Sequence, residues 1–114
     1  MSAQKVRKIS PYPIPATLTG EETMAGKIAK LTNVGVLCET EKPLQPGQQF
    51  TLAFTLPVIG RTVQAVGVVI KTYARYGGEP GKSKSHSLNE LHFRNLGDED
   101  KIAVHNFLTA IRQV

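Results

Sequence analysis

A chain of 114 residues is long enough to bury one apolar core and too short for two domains of ordinary size. With 40% hydrophobic and 20% charged residues and no apolar run near the roughly 20 residues of a membrane-spanning helix, it reads as a soluble globular protein without direct membrane insertion. The formal net charge of +5 favours anionic partners, but 6% aromatic residues and no tryptophan make a poor base-stacking platform, so no nucleic-acid polymer is expected as partner.

Residues 1–10 are polar and basic, carrying Lys5, Arg7 and Lys8, and are expected to form a flexible arm ahead of a single domain over residues 11–114. No apolar segment follows the early positive charges, so they do not read as a secretory signal, and the protein is placed in the cytoplasm. Pro11, Pro13 and Pro15 fall at every second position. Proline has no backbone donor, so this stretch is expected to run extended outside the sheet into a first strand at Ala16 to Thr19. A turn at Gly20-Glu21-Glu22 leads into a second strand, Met24 to Leu31.

Thr32-Asn33-Val34-Gly35 joins that strand to an apolar, β-branched one running from Val34 to Thr40. Asn and Gly tolerate φ > 0, so the turn is expected to reverse the backbone and gather several N–H groups where an anionic oxygen would sit. An ordinary strand-to-strand turn explains the same residues. The single cysteine, Cys38, allows neither an internal disulfide nor a multi-cysteine metal site. Its apolar setting suits a small buried hydrophobe, with a reactive thiol as the alternative.

Phe50, Leu52, Phe54 and Leu56 alternate with polar or small residues and mark the clearest half-buried strand. Pro57 ends it, Gly60 turns the chain, and a long strand follows from Arg61 to Tyr73, with Val66 and Val68 read as inward and Gly67 as a bulge. A polar loop from about Arg75 to Ser85 precedes the strand Ser87 to Phe93, on which Leu91 and Phe93 point inward and His92 outward. After Gly97, three acidic residues suit the start of a helix over residues 98–112, and Ile102, Val104, His105, Leu108 and Ile111 fall near helical spacing. Phe107 and Leu108 are expected to dock this helix on the strands. Short strands, Gly-rich turns and one terminal helix together describe a small antiparallel barrel, mainly β, whose closure removes exposed edges.

Catalytic and metal chemistry is not assembled. His86, His92 and His105 have no partners at ligand spacing, and the sequence contains no GxSxG, Walker A, GxGxxG or HExxH run. The expectation is a non-enzymatic protein with no catalytic residue, no metal and no cofactor.

The order of elements resembles the bacterial PilZ domain family from Arg7 to Ile111: a basic arm, a Pro-rich lead, the turn ending at Gly35, the segments Leu44–Pro57 and Val63–Thr72, and the block Glu90–Leu108. The resemblance implies a six-stranded antiparallel β-barrel with one C-terminal α-helix, and cyclic di-GMP as the ligand of those members that bind nucleotide. Binding members carry RxxxR in the arm and (D/N)xSxxG at the second turn. In these motifs arginine forks grip phosphate and guanine acceptors, and glycine allows close backbone approach.

Carried onto this sequence, the first motif begins at Arg7, with Lys8 beside it, and its second arginine position is Pro11. The second motif becomes Lys30-Leu31-Thr32-Asn33-Val34-Gly35, so a donor replaces the acidic or amide acceptor and Thr replaces Ser. The resulting ligand residues are Arg7, Lys8, Lys30, Thr32, Asn33 and Gly35, a degenerate set. Loss of a buried charged partner costs about 2–5 kcal/mol. The resemblance therefore implies an adaptor in a cyclic di-GMP, motility or polarity pathway, acting mainly through a protein partner with weak or no nucleotide binding. The alternative is a cyclic di-GMP receptor whose basic arm closes over the ligand.

Overall fold

Period-2 alternation builds six strands in the computed structural model, which describes residues 11–77 and 84–112. They are β1 (Ile14–Thr19), β2 (Thr23–Leu31), β3 (Gly35–Thr40), β4 (Gln49–Thr55), β5 (Thr62–Gly77) and β6 (Lys84–Asn95), followed by the helix α1 (Asp98–Arg112). The strands close into a barrel in the order β1-β2-β3-β6-β5-β4, every neighbouring pair antiparallel. Inward residues such as Leu18, Ile28, Leu52, Val63 and Leu91 meet Val104 and Phe107 of α1 in one apolar core. The barrel and the terminal helix are those the sequence led us to expect.

Antiparallel order fixes what lies at each end. The start of β1, the β2–β3 turn, the β4–β5 turn and the end of β6 share one end, and α1 is tied there: Arg61 donates from Nε and Nη2 to Asp100 Oδ1 at 3.0 and 2.9 Å. Gly97 supplies the carbonyl that accepts from Lys101 N at 2.8 Å, starting the helix. Near the other end Leu44, from the β3–β4 connection, is buried beside Asn89. Asn89 is wholly buried and satisfied: Nδ2 donates to Cys38 O (3.1 Å) and Thr40 Oγ1 (3.0 Å), while Oδ1 accepts from Thr72 Oγ1 (3.0 Å) and Leu44 N (3.4 Å).

Several expectations are corrected. Pro15 lies within β1, opposite Lys27 of β2; pairing to β4 begins only at Ala16, so the proline flanks a single partner strand. On β5 the inward residues are Val63, Ala65, Gly67 and Val69, while Val66 and Val68 are only half-buried and Ile70 is exposed. At the middle of this wall room is short: a Cβ at Gly67 would stand 2.9 Å from Leu52 Cδ1, so the small pair Ala65 and Gly67 faces inward there and Val66 and Val68 face out. Gly67 does sit at a register shift, as a bulge would.

The polar loop is shorter than expected, since β5 continues to Gly77 and β6 begins at Lys84. On α1 the buried face is Ala103, Val104 and Phe107, with Leu108 and Ile111 half-buried. Ile102 and His105 are exposed: residue 102 lies two positions from Val104, about 200° around the helix. Phe93 is half-buried against the core instead of within it.

Candidate ligand site

The β2–β3 turn is built around one hydroxyl. Thr32 Oγ1 accepts from the N–H groups of Val34 (3.2 Å) and Gly35 (3.1 Å) and donates to Gly35 O (3.2 Å), while Thr32 N donates to the same carbonyl at 2.9 Å. Three backbone donors are thus consumed inside the turn, where a ligand-binding nest would leave them free. Among the described residues φ is positive only at Gly47, Val58 and Gly60, so the expected use of Asn33 and Gly35 for φ > 0 is corrected. Gly35 has another reason to be glycine. Paired opposite His92, it lies so close to β6 that a Cβ would collide with the Leu91 carbonyl and stand 2.9 Å from His92 Cα.

Outside the barrel wall, Lys30 of β2 stands opposite Leu37 of β3, and Leu37 opposite Glu90 of β6. This row and the turn form a shallow groove of about 280 Å³, lined among others by Lys30, Thr32, Gly35, Leu37, Glu90 and His92. His92 Nε2 lies 3.0 Å from Glu90 Oε2, a pair that places a carboxylate in the groove with Lys30. The structure therefore brings Lys30, Thr32 and Gly35 together. Asn33 is exposed and lines a different cleft, across the turn. Arg7 and Lys8 lie outside the described residues.

Sequence reasoning missed two contributors. Glu90 was legible only as an outward position flanking Leu91, with nothing to show that β6 would bring it into the same groove as Lys30. Tyr12, among the prolines, accepts a hydrogen bond from Leu31 N through its hydroxyl at 3.2 Å, which holds the chain entering β1 beside the residue that precedes Thr32. Cys38 is buried, and burial pushes its thiol up to about 12, so it is un-ionised at neutral pH and packs as a small hydrophobe. Among the described residues no three His, Cys, Asp or Glu side chains cluster as a metal site would require, and no helix is long and apolar enough to cross a membrane.

No protein-family model and no curated protein matches the sequence. Solved structures do match. The PilZ domain of YcgR from Escherichia coli, solved with c-di-GMP, superposes with a TM-score of 0.71 at 13% identity, over 93% of this chain and 87% of that one. MrkH of K. pneumonia in its apo state superposes with a TM-score of 0.77 at 14% identity, over 97% of this chain and 54% of that one. A further MrkH structure, described as a c-di-GMP-dependent transcription regulatory factor, gives 0.74 at 14% identity, over 89% and 46%. The chain thus spans about half the length of MrkH. At such low identity the likeness establishes the fold, and by that fold, a closed six-stranded barrel with a terminal helix, this chain is a PilZ-like domain.

Proposed function

We propose that this PilZ-like domain is a non-enzymatic, cytoplasmic adaptor in a cyclic di-GMP-related pathway, such as one controlling motility or polarity. It works mainly through contact with a protein partner, and its outer groove has weak or no affinity for the nucleotide. The observation that carries this reading is the state of the Lys30–Gly35 segment. Lys30 presents a donor where the motif needs an acceptor, the N–H groups of Thr32, Val34 and Gly35 are taken, and Gly35 is explained by its approach to β6. A glycine kept for packing says nothing in favour of a ligand.

Calorimetric titration with cyclic di-GMP at low and at moderate salt tests the reading. The expected result for wild type is no heat, or binding no tighter than the millimolar range. Micromolar binding through the Lys30 groove would overturn it. The companion variant Pro11→Arg with Lys30→Asp restores a guanidinium and an acceptor at the two departed positions, and gains measurable affinity if side chains alone account for the loss.

A second reading, a cyclic di-GMP receptor closed by its arm, draws on one specific observation: the Tyr12 hydroxyl holds the chain entry beside Leu31. An arm preceding residue 11 would then start near the groove, and this reading assigns Arg7 and Lys8 to a phosphate of the ligand. Under that reading, removal of residues 1–10 abolishes nucleotide binding.

A further inference from the structure

A second cleft, about 460 Å³, opens between the β2–β3 turn, the end of β6 and the first half of α1. Asn33 and Val34 form one wall, Arg94, Asn95 and Leu96 another, and Lys101 with Val104 the helical side. Two cations, one from β6 and one from α1, are exposed at this cleft, and neither has an ion-pair partner among the described residues. No carboxylate of the described residues lines it. The acidic residues nearest in sequence are committed elsewhere or stand outside: Asp100 and Glu99 face Arg61 at 2.9 and 3.5 Å, and Asp98, one turn before Lys101, is exposed and is not part of the lining. His92, which also lines the cleft, is engaged by Glu90.

Two cations that line one cleft from separate elements, neither with an ion-pair partner among the described residues, make the cleft positive and favour an anion in it. A phosphomonoester carries close to two negative charges near neutral pH and offers three strong acceptor oxygens, matching a guanidinium fork and an ammonium together. The cleft is much larger than a phosphate. Val34, 62% exposed, and half-buried Leu96 give it apolar surface, and the amides of Asn33 and Asn95 supply both donors and acceptors. Its size lies within the range of small-molecule sites.

We propose that this cleft binds a small phosphomonoester with a planar or apolar body, the chemistry of a 5′-mononucleotide, with Arg94 and Lys101 holding the phosphate. The proposal uses none of Lys30, Thr32 or Gly35; the cleft shares Asn33 with the carried-over ligand set and Val34 and His92 with the rim of the outer groove, and its phosphate-holding residues, Arg94 and Lys101, belong to neither.

Calorimetry with GMP, guanosine and inorganic phosphate tests it. GMP is expected to bind at least about tenfold more tightly than either fragment, because only GMP engages the cations and the cleft walls together. Its affinity should fall as salt rises. Arg94→Gln with Lys101→Gln should weaken GMP about tenfold or more, while Lys27→Gln, which removes a charge on β2 outside the cleft, changes it by less than about twofold. Circular dichroism confirms that each variant is folded, and the two single variants serve if the double one is not. GMP binding no better than guanosine, or equal binding by wild type and a folded cleft variant, would overturn the proposal. Cyclic di-GMP is titrated in parallel: micromolar binding that survives the cleft variants belongs to the outer groove and overturns the adaptor reading, leaving the cleft proposal to the GMP result.

Discussion

Two turns lie at the same end of the barrel and are held in opposite ways. In the β2–β3 turn the Thr32 hydroxyl takes up the N–H groups of Val34 and Gly35, and Gly35 is pressed against β6, with Phe93 N donating to Val34 O at 2.9 Å. The β4–β5 turn closes mainly through backbone bonds, Leu56 N to Arg61 O (2.9 Å), Gly60 N to Leu56 O (2.8 Å) and Ile59 N to Pro57 O (2.7 Å), with the Thr55 and Thr62 hydroxyls 2.9 Å apart at its base. At its tip Val58 adopts φ 73° and is 88% exposed, an arrangement a β-branched residue rarely takes and one that gains nothing from burial. Leu56 anchors its base in the core, and among the described residues Arg61 ties it to α1 through Asp100 and Glu99. The turn that resembles a ligand nest in sequence therefore spends three of its four N–H groups, those of Thr32, Val34 and Gly35, on itself, and the one that looks like a plain hairpin carries the strain.

The largest test of this contrast is Gly35→Ala. The added methyl meets backbone of β6, which cannot swing aside as a side chain end could, so the variant should lose about 3 kcal/mol or fail to fold. Urea denaturation reads the loss, and wild-type stability would show that β6 yields and that packing is not why glycine stands there. Thr32→Val keeps the shape of the side chain and removes the acceptor for two N–H groups. It should cost about 1–2 kcal/mol, read as a shift in the denaturation midpoint at unchanged slope. No change would mean that solvent replaces the hydroxyl and that the turn's donors are available to a ligand after all.

Much of the barrel was legible because Phe50, Leu52 and Phe54 alternate cleanly and the period changes after Gly97. On β5 the pattern failed, since Val66 to Ile70 has apolar residues on both faces and periodicity cannot tell which set faces Leu52. Of the site, the residues that touch through a single turn were legible, and those that meet across strands were not. Lys30 and Glu90 are 60 positions apart in sequence and come to line one groove, with Leu37 between them, only through the β2-β3-β6 order. Val58 gave no sequence signal, because the residue type argues against the backbone it adopts. The unpaired Arg94 and Lys101 were equally hidden, since the lack of a nearby carboxylate is a property of the folded cleft.

Replacing Val58 by Asn should stabilise the protein by about 1 kcal/mol, because Asn tolerates the left-handed region and no buried contact is lost. Thermal denaturation checks the sign. A loss of stability would mean that the valine side chain contributes packing its exposure does not suggest, and would weaken the contrast between the two turns.

The smallest effect is the most discriminating. Arg61 and Asp100 have side chains 41% and 18% exposed, so their pair is worth no more than about 1 kcal/mol and should weaken as salt screens it. A double-mutant cycle of Arg61→Gln and Asp100→Asn, run at low and high salt, measures that coupling. A second cycle, Arg61→Gln with Thr32→Val, asks whether the two turns act independently. They share an end of the barrel but no hydrogen bond, so their effects should add within about 0.5 kcal/mol. A larger coupling would show that α1, clasped by Arg61 on one side and lining the Asn33 cleft on the other, transmits strain from the exposed tip to the β2–β3 turn. In that case the two turns would have to be treated as one coupled unit.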